Sequence, residues 1–104
     1  MQEKFKWDYD YRNDSLFIYR AEARAQESMD IGDLIVDLGK DASIVGVEFL
    51  DASKYLTELA NMKITKQGLK KIRSASIFAN TKMETAIIKV LLKFAHSEVS
   101  ATMA

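Results

Sequence analysis

The stretch that decides the fold is residues 44–55, Ile-Val-Gly-Val-Glu-Phe-Leu-Asp-Ala-Ser-Lys-Tyr. Apolar side chains alternate with small or polar ones in its first half, which predicts a strand with one buried face. Asp51 belongs to the residue types that favour the N-cap of a helix. The apolar spacing then changes to the period of an amphipathic helix, which we predict at about 52–61.

The residues before this stretch predict antiparallel strands. Aromatic residues alternate with charged ones over residues 4–11, which predicts a strand whose buried face is aromatic. Residues 16–19 are apolar on both faces, which predicts a central strand or one at an oligomer contact. The predicted elements are a strand at 5–11, a turn at 12–14, a strand at 16–19, a weak strand at 23–29, a turn at 30–33, a strand at 34–38, a hairpin loop at 39–43 and a strand at 44–50.

The two strands on either side of the predicted hairpin loop can be aligned from their faces. The apolar set has even residue numbers in 34–38 and odd residue numbers in 44–50. If both sets share one face of an antiparallel pair, the residue numbers of each opposed pair must add up to an odd value, about 81 or 83. This alignment places Asp37 and Glu48 together on the opposite face. Gly46 shares that face without a side chain, which predicts the close approach of a neighbouring element.

After the helix, the pattern predicts a linker and a second β region. Residues 61–72 predict a linker with one helical turn, which Thr65 can cap and Gly68 weakens. Residues 84–94 alternate between two faces. A helix also fits residues 83–95, but the β-branched residues there favour a strand. We also expect a less regular strand at 74–80, a turn at 81–83, a turn at 95–97 and a final strand at 98–103.

These elements define the predicted fold class. We expect an α+β fold with a mostly antiparallel sheet of about five strands, one helix, and then about three strands. The length of 104 residues suits one domain with its own core. Residues 1–104 are therefore predicted to form a single domain, in which a β region at 62–104 packs on residues 1–61.

The composition excludes several classes of site. The sequence has no cysteine, which excludes disulfides, thiolate metal sites and cysteine nucleophiles and suits a reducing compartment. No apolar run approaches the roughly 20 residues of a membrane helix, and the first residues lack the apolar core of a signal peptide. We therefore expect a cytoplasmic protein with no membrane partner.

The formal net charge of zero conceals an uneven distribution. Residues 1–61 carry 7 Lys and Arg against 13 Asp and Glu, whereas residues 62–104 carry 8 against 2. This division favours charge complementarity within the molecule over a basic patch for nucleic acid. A net charge near zero is also compatible with self-association.

Four stretches together resemble a known family. They are Tyr9-Asp10, Asp14-Ser15-Leu16-Phe17-Ile18, Leu34-Ile35-Val36-Asp37 and Ile44-Val45-Gly46-Val47-Glu48-Phe49-Leu50-Asp51-Ala52-Ser53. Over roughly residues 7–60 the chain resembles a family of short bacterial and archaeal proteins known only as a domain of unknown function. The resemblance implies an antiparallel sheet followed by a helix, with no established enzymatic activity. Some relatives look like partners of small toxin-like proteins, which implies an antitoxin-like role.

Two groups of carboxylates are candidate sites. Asp8, Asp10 and Asp14 could bind calcium, but the glycine and glutamate that a calcium loop needs at its sixth and twelfth positions are missing, so carboxylates in solvent are the better interpretation. The second candidate metal or acid/base group is Asp37, Glu48 and Asp51. No nucleophile or phosphate loop accompanies this group, so a polar outer face and a helix cap are favoured.

The basic residues and the histidine are weaker candidates. A basic segment, with Lys66, Lys70, Lys71 and Arg73 as its candidate nucleic-acid contacts, has only Phe78 as a nearby aromatic residue in the sequence, and a solvated face is favoured. His96 is the only histidine, and a lone histidine in a predicted turn usually faces solvent.

These observations favour a small non-enzymatic domain that acts through protein contacts, as a homodimer, without a cofactor. The doubly apolar strands and the missing catalytic set support this hypothesis. The alternatives are a nucleic-acid-linked or antitoxin-like regulator and a carboxylate site for a divalent metal.

Overall fold

A computed structural model describes residues 5–82 and 85–103 of the chain. The described residues form eight strands and three short helical segments. In chain order the elements are β1 (Phe5–Asp10), β2 (Ser15–Arg20), β3 (Glu27–Ile31), β4 (Leu34–Leu38), a 3₁₀ turn (Lys40–Ala42), β5 (Ile44–Phe49), α1 (Ala52–Ala60), α2 (Lys66–Leu69), β6 (Ser74–Lys82), β7 (Thr85–Lys93) and β8 (Glu98–Met103).

The strands form two antiparallel sheets. The first sheet has five strands in the order β1-β2-β5-β4-β3, and the second has three in the order β6-β7-β8. The doubly apolar strand β2 lies between β1 and β5, as its two-faced pattern predicts. The predicted α+β class is confirmed, with five strands, a helix and then three strands.

Residues 85–93 form a strand, which confirms the choice of strand over helix in this region. The turns at 12–14 and 95–97 and the single helical turn after Thr65 are confirmed as well. In that turn the Thr65 hydroxyl oxygen accepts a hydrogen bond from the Gly68 amide at 3.0 Å.

Three predicted boundaries are wrong. The turn expected at 30–33 is wrong at its first two residues, because β3 continues to Ile31. The weak strand expected at 23–29 lies at Glu27–Ile31 instead, because the chain still turns after β2, where the Ala23 amide bonds to the Arg20 carbonyl. The turn expected at 81–83 is wrong at its first two residues, since β6 continues to Lys82 opposite Thr85. Its third residue, Met83, lies outside the described residues.

The register between β4 and β5 follows the predicted alignment. Opposed residues sum to 83 from Leu34, which faces Phe49, to Asp37, which faces Gly46, and the register then shifts by one residue. Asp37 and Glu48 therefore share the outer face, as predicted. A side-chain atom added at Gly46 would lie 3.1 Å from Cε1 of Phe17 and 3.3 Å from the carbonyl oxygen of Ile18, so the predicted close approach is confirmed.

One hydrophobic cluster joins both sheets and both helices. It takes Val47 and Phe49 from the first sheet, Val90 and Leu92 from the second, and Leu56 from α1, all with no exposed surface. Helix α1 packs on β8, and β6 lies against β1 and β2. Residues from both sheets and both helices thus contribute to the same core.

The contact at Gly46 predicts a specific cost for a side chain there. We expect Gly46→Val to lower the free energy of unfolding by about 1–3 kcal/mol, because the new methyl groups must displace the Phe17 ring or the β2 backbone. Urea denaturation measures this change. Ile35→Val on the same outer face is the control, with an expected loss below about 1.5 kcal/mol; equal losses in the two variants would contradict the close approach.

Candidate functional site

The Asp14 carboxylate joins the first hairpin to the start of helix α1. Its oxygen Oδ2 accepts a hydrogen bond from the Ser53 hydroxyl at 2.6 Å, and both carboxylate oxygens lie 3.2 Å from the Ser53 amide nitrogen. The Asp14 carbonyl accepts the Ala52 amide at 2.8 Å. The β1–β2 turn therefore satisfies two of the amide donors that a helix leaves free at its N-terminus.

The predicted role of Asp51 as the helix cap is wrong. Asp51 occupies the N-cap position, but its backbone is left-handed, with a φ of 48°, and its side chain makes no capping hydrogen bond. Asp14 is also left-handed, with a φ of 53°, a conformation that aspartate tolerates better than most residues. The capping contact to Ser53 therefore comes from Asp14, which lies 39 positions before Ser53 in the chain.

Tyr9 completes this arrangement from strand β1. Its hydroxyl donates a hydrogen bond to Oδ1 of Asp14 at 2.6 Å. Burial, followed by the hydrogen bond to the Asp14 carboxylate, raises the pKa of Tyr9 well above its ordinary value. Tyr9 therefore stays a neutral donor, and the three residues Tyr9, Asp14 and Ser53, here called the Asp14 junction, form a structural contact rather than an acid/base pair.

The remaining carboxylate candidates do not converge on one point. Asp10 accepts hydrogen bonds from the side chain and the backbone amide of Asn13, and these bonds hold the pKa of the Asp10 carboxyl below its ordinary value. Asp37 accepts a hydrogen bond from the Ser28 hydroxyl at 2.6 Å. Glu48 lies opposite Ile35 on the adjacent strand. Within the described ranges, 5–82 and 85–103, no three Asp, Glu or His side chains are grouped closely enough to hold a metal ion.

The basic segment gains an aromatic partner that the sequence does not reveal. The Nζ atoms of Lys66 and Lys70 each lie 4.7 Å from the centroid of the Tyr11 ring. The Gln67 side-chain amide donates a hydrogen bond to the Tyr11 hydroxyl at 2.9 Å. Lys71 and Arg73 follow in the chain, and both are exposed. Only the folded chain brings Tyr11 to residues that lie 55 or more positions away.

The outer edge of the five-stranded sheet exposes apolar side chains. Among the described strands, β3 pairs with β4 alone, and all five of its residues are exposed. Met29 and Ile31 lie opposite Val36 and Leu34, on the face that carries the core, yet they are 47% and 50% exposed. The core face of the sheet therefore continues past the residues that cover it.

Two further features carry little chemistry. His96 is exposed in the turn between β7 and β8, as predicted. A shallow groove of about 470 Å³ runs beside the C-terminal part of α1, with Thr57, Met62 and Ile64 among its lining residues. The Thr57 hydroxyl in this groove is already bonded to the Ser53 and Ile64 backbones.

The chain was compared with protein families and with solved structures. Residues 6–53 match the family described as "Protein of unknown function (DUF2283)". The described part of the chain contains no helix of the length and apolarity that crossing a membrane requires. No solved structure matches the chain. This match over residues 6–53 confirms the resemblance noted in the sequence.

Two curated archaeal proteins are similar to the chain. A Methanocaldococcus jannaschii protein, named as uncharacterized, is 41% identical over 51 residues, which cover 49% of this chain and 44% of that protein. A Methanosarcina mazei protein, provisionally named a hypoxanthine phosphoribosyltransferase, is 35% identical over 68 residues, which cover 65% of this chain and 50% of that protein. The chain spans about half the length of these relatives.

Asp14 and Asp51 offer a matched test of the junction. Both residues have a left-handed backbone, and both lie close in space to the start of α1. We expect Asp14→Asn to lower the free energy of unfolding by about 1.5–3 kcal/mol, since it removes a charged acceptor from three donors. Asp51→Asn should cost about 0.3–1 kcal/mol, the size of a charge effect at a helix end. Chemical denaturation of both variants measures the difference, and equal losses would show that Asp14 is not the cap.

Proposed function

We propose that this protein is a small non-enzymatic interaction domain that forms a homodimer by pairing the β3 strands of two copies. The observation that carries this proposal is the exposed β3 edge, with Met29 and Ile31 on the core face of the sheet. An unpaired edge strand presents free backbone groups to a second strand. A second copy of β3 supplies both the missing hydrogen bonds and apolar cover for these side chains.

The sequence of β3 is compatible with antiparallel pairing to itself. If the two strands are centred on Met29, then Glu27 faces Ile31 of the second copy and Ser28 faces Asp30. No like charges lie directly opposite each other in this register, an arrangement that would be unfavourable. Met29 and Ile31 of both copies form one apolar cluster, and two-fold symmetry makes the same patch serve on both sides.

The expected dimer is weak. A pair of five-residue strands is small beside the roughly 1,200–2,000 Å² that specific stable interfaces bury. We therefore expect dissociation in the micromolar range or above. The predicted oligomeric state must be measured over a range of concentrations rather than at a single one.

The hydrogen bonds of the carboxylates support a role without catalysis. Asp14 and Asp37 accept short hydrogen bonds from serine hydroxyls, and Asp10 is held by Asn13, so these side chains serve the fold. The transferase named in Methanosarcina mazei is twice as long as the segment that matches this chain, and we do not extend its activity to this protein. The cytoplasmic location stays a prediction.

Met29 and Met62 provide a matched pair for testing the dimer, because both side chains are 47% exposed. We expect Met29→Lys to abolish self-association, since a charge on the core face of an edge strand opposes pairing. Met62→Lys, after helix α1, should leave the dimer unchanged. Sedimentation velocity from about 5 to 500 μM covers the expected affinity range.

Three results would contradict this proposal. The wild-type protein could remain a monomer across the whole concentration range, Met29→Lys could dimerise as well as the wild type, or Met62→Lys could disrupt the dimer equally. Circular dichroism of each variant checks that the fold is kept. A second variant, Ile31→Lys, provides an independent test at the same edge.

A further inference from the structure

We propose that Tyr11, Lys66 and Lys70, here called the Tyr11 platform, bind single-stranded nucleic acid through its phosphates and bases. This site is separate from the β3 edge and does not depend on the proposed dimer. Two lysine ammonium groups meet at one exposed aromatic ring, 4.7 Å from its centroid in each case. An aromatic ring beside positive charges is the combination that unpaired nucleotides bind.

The two lysine ammonium groups of the platform share the Tyr11 ring as their partner. Among the residues that the structure describes, no carboxylate forms an ion pair with Lys66 or Lys70. Since both ammonium groups lie 4.7 Å from the same centroid, they are at most about twice that distance apart, and they repel each other. A phosphate group that lies near both relieves this repulsion, whereas the ring alone offsets only part of it.

The platform is held in place before any ligand binds. Lys66 and Lys70 are four residues apart, which places them on one side of the α2 turn. Leu69 of that turn is buried in the core, and Thr65 caps its start. The Gln67 hydrogen bond to the Tyr11 hydroxyl ties the turn to the first hairpin. The geometry therefore requires little ordering on binding, which favours affinity.

Further exposed basic and aromatic residues in the second half of the chain favour a strand of nucleotides over a single phosphate as the ligand. Arg73 follows the platform in the chain, and its backbone amide bonds to the Lys93 carbonyl at the edge of the second sheet. On the outer face of that sheet, Phe78 is 55% exposed and lies directly opposite the exposed Lys89. The strand register thus places a second exposed aromatic residue opposite an exposed lysine, in the same basic half of the chain.

The aromatic rings favour single strands over duplexes. Bases in a duplex are stacked on each other and offer no free face, whereas unpaired bases stack on exposed rings. Tyr11 is 40% exposed. Phosphate contacts alone would bind duplex and single strand alike, so the preference for single strands is the feature that distinguishes this site from a general positive charge.

The test is fluorescence anisotropy with labelled single-stranded DNA and RNA of about 12 nucleotides, at salt concentrations from about 50 to 200 mM. We expect salt-sensitive binding. Lys66→Gln combined with Lys70→Gln should weaken binding at the lowest salt by about tenfold or more. The plot of log affinity against log salt has a negative slope, and the double variant should make this slope less steep by about 1.4. The control with equal charge change is Lys40→Gln combined with Lys54→Gln.

The ring is tested separately from the charges. Tyr11→Leu should weaken binding several-fold, whereas Tyr11→Phe, which keeps the ring and loses the hydroxyl, should bind within about twofold of the wild type. Unlabelled duplex should compete less well than an unlabelled single strand. Circular dichroism confirms the fold of each variant.

Any of four results would overturn the proposal. They are no binding at the lowest salt, equal losses in the platform and control double variants, equal competition by duplex and single strand, and wild-type affinity in Tyr11→Leu. Competition by inorganic phosphate at concentrations equal to those of the oligonucleotide would assign the site to a small anion instead.

Discussion

The hydrogen bonds of Asp14 to Ser53 are the contact on which the rest of the structure depends. They connect the turn of the first hairpin to the start of α1, and Tyr9 donates to the same carboxylate. Because α1 then packs on β8, this contact fixes the first sheet relative to the second. A charged acceptor for helix amides contributes more than a neutral one, and here it also determines the direction in which the chain leaves β5.

Patterns with a short period predicted the type and order of the elements, but not all of their boundaries. The alternation in β4 and β5 gave the register of the two strands, because a slip of one residue would turn one apolar set outward. The distant contacts were not predicted, because they join residues that no local pattern relates. Asp51 has the expected residue type for a cap, yet Asp14, which lies 39 residues before Ser53, provides it. Tyr11 meets Lys66 only after folding, so the basic segment looked solvated without an aromatic partner.

The two proposed binding surfaces differ in their relation to the matched family segment. Residues 6–53 include Tyr9, Asp14 and Ser53, so the whole junction lies within the family domain, as does the β3 edge. The Tyr11 platform combines Tyr11 from this domain with Lys66 and Lys70 from the segment that follows it. The matched segment thus contains nearly the whole five-stranded sheet and the proposed dimer edge, whereas the proposed nucleic-acid site also requires the basic region that follows this segment.

A double-mutant cycle between Asp14 and Ser53 tests the central contact most directly. The free energies of unfolding of Asp14→Asn, Ser53→Ala and the double variant are measured by urea denaturation. Residues that share a hydrogen-bond network couple by about 0.5–3 kcal/mol, and we expect about 1 kcal/mol or more here because one partner is charged. If the loss in the double variant equals the sum of the two single losses to within about 0.3 kcal/mol, the conclusion that this contact joins the hairpin to the helix is contradicted.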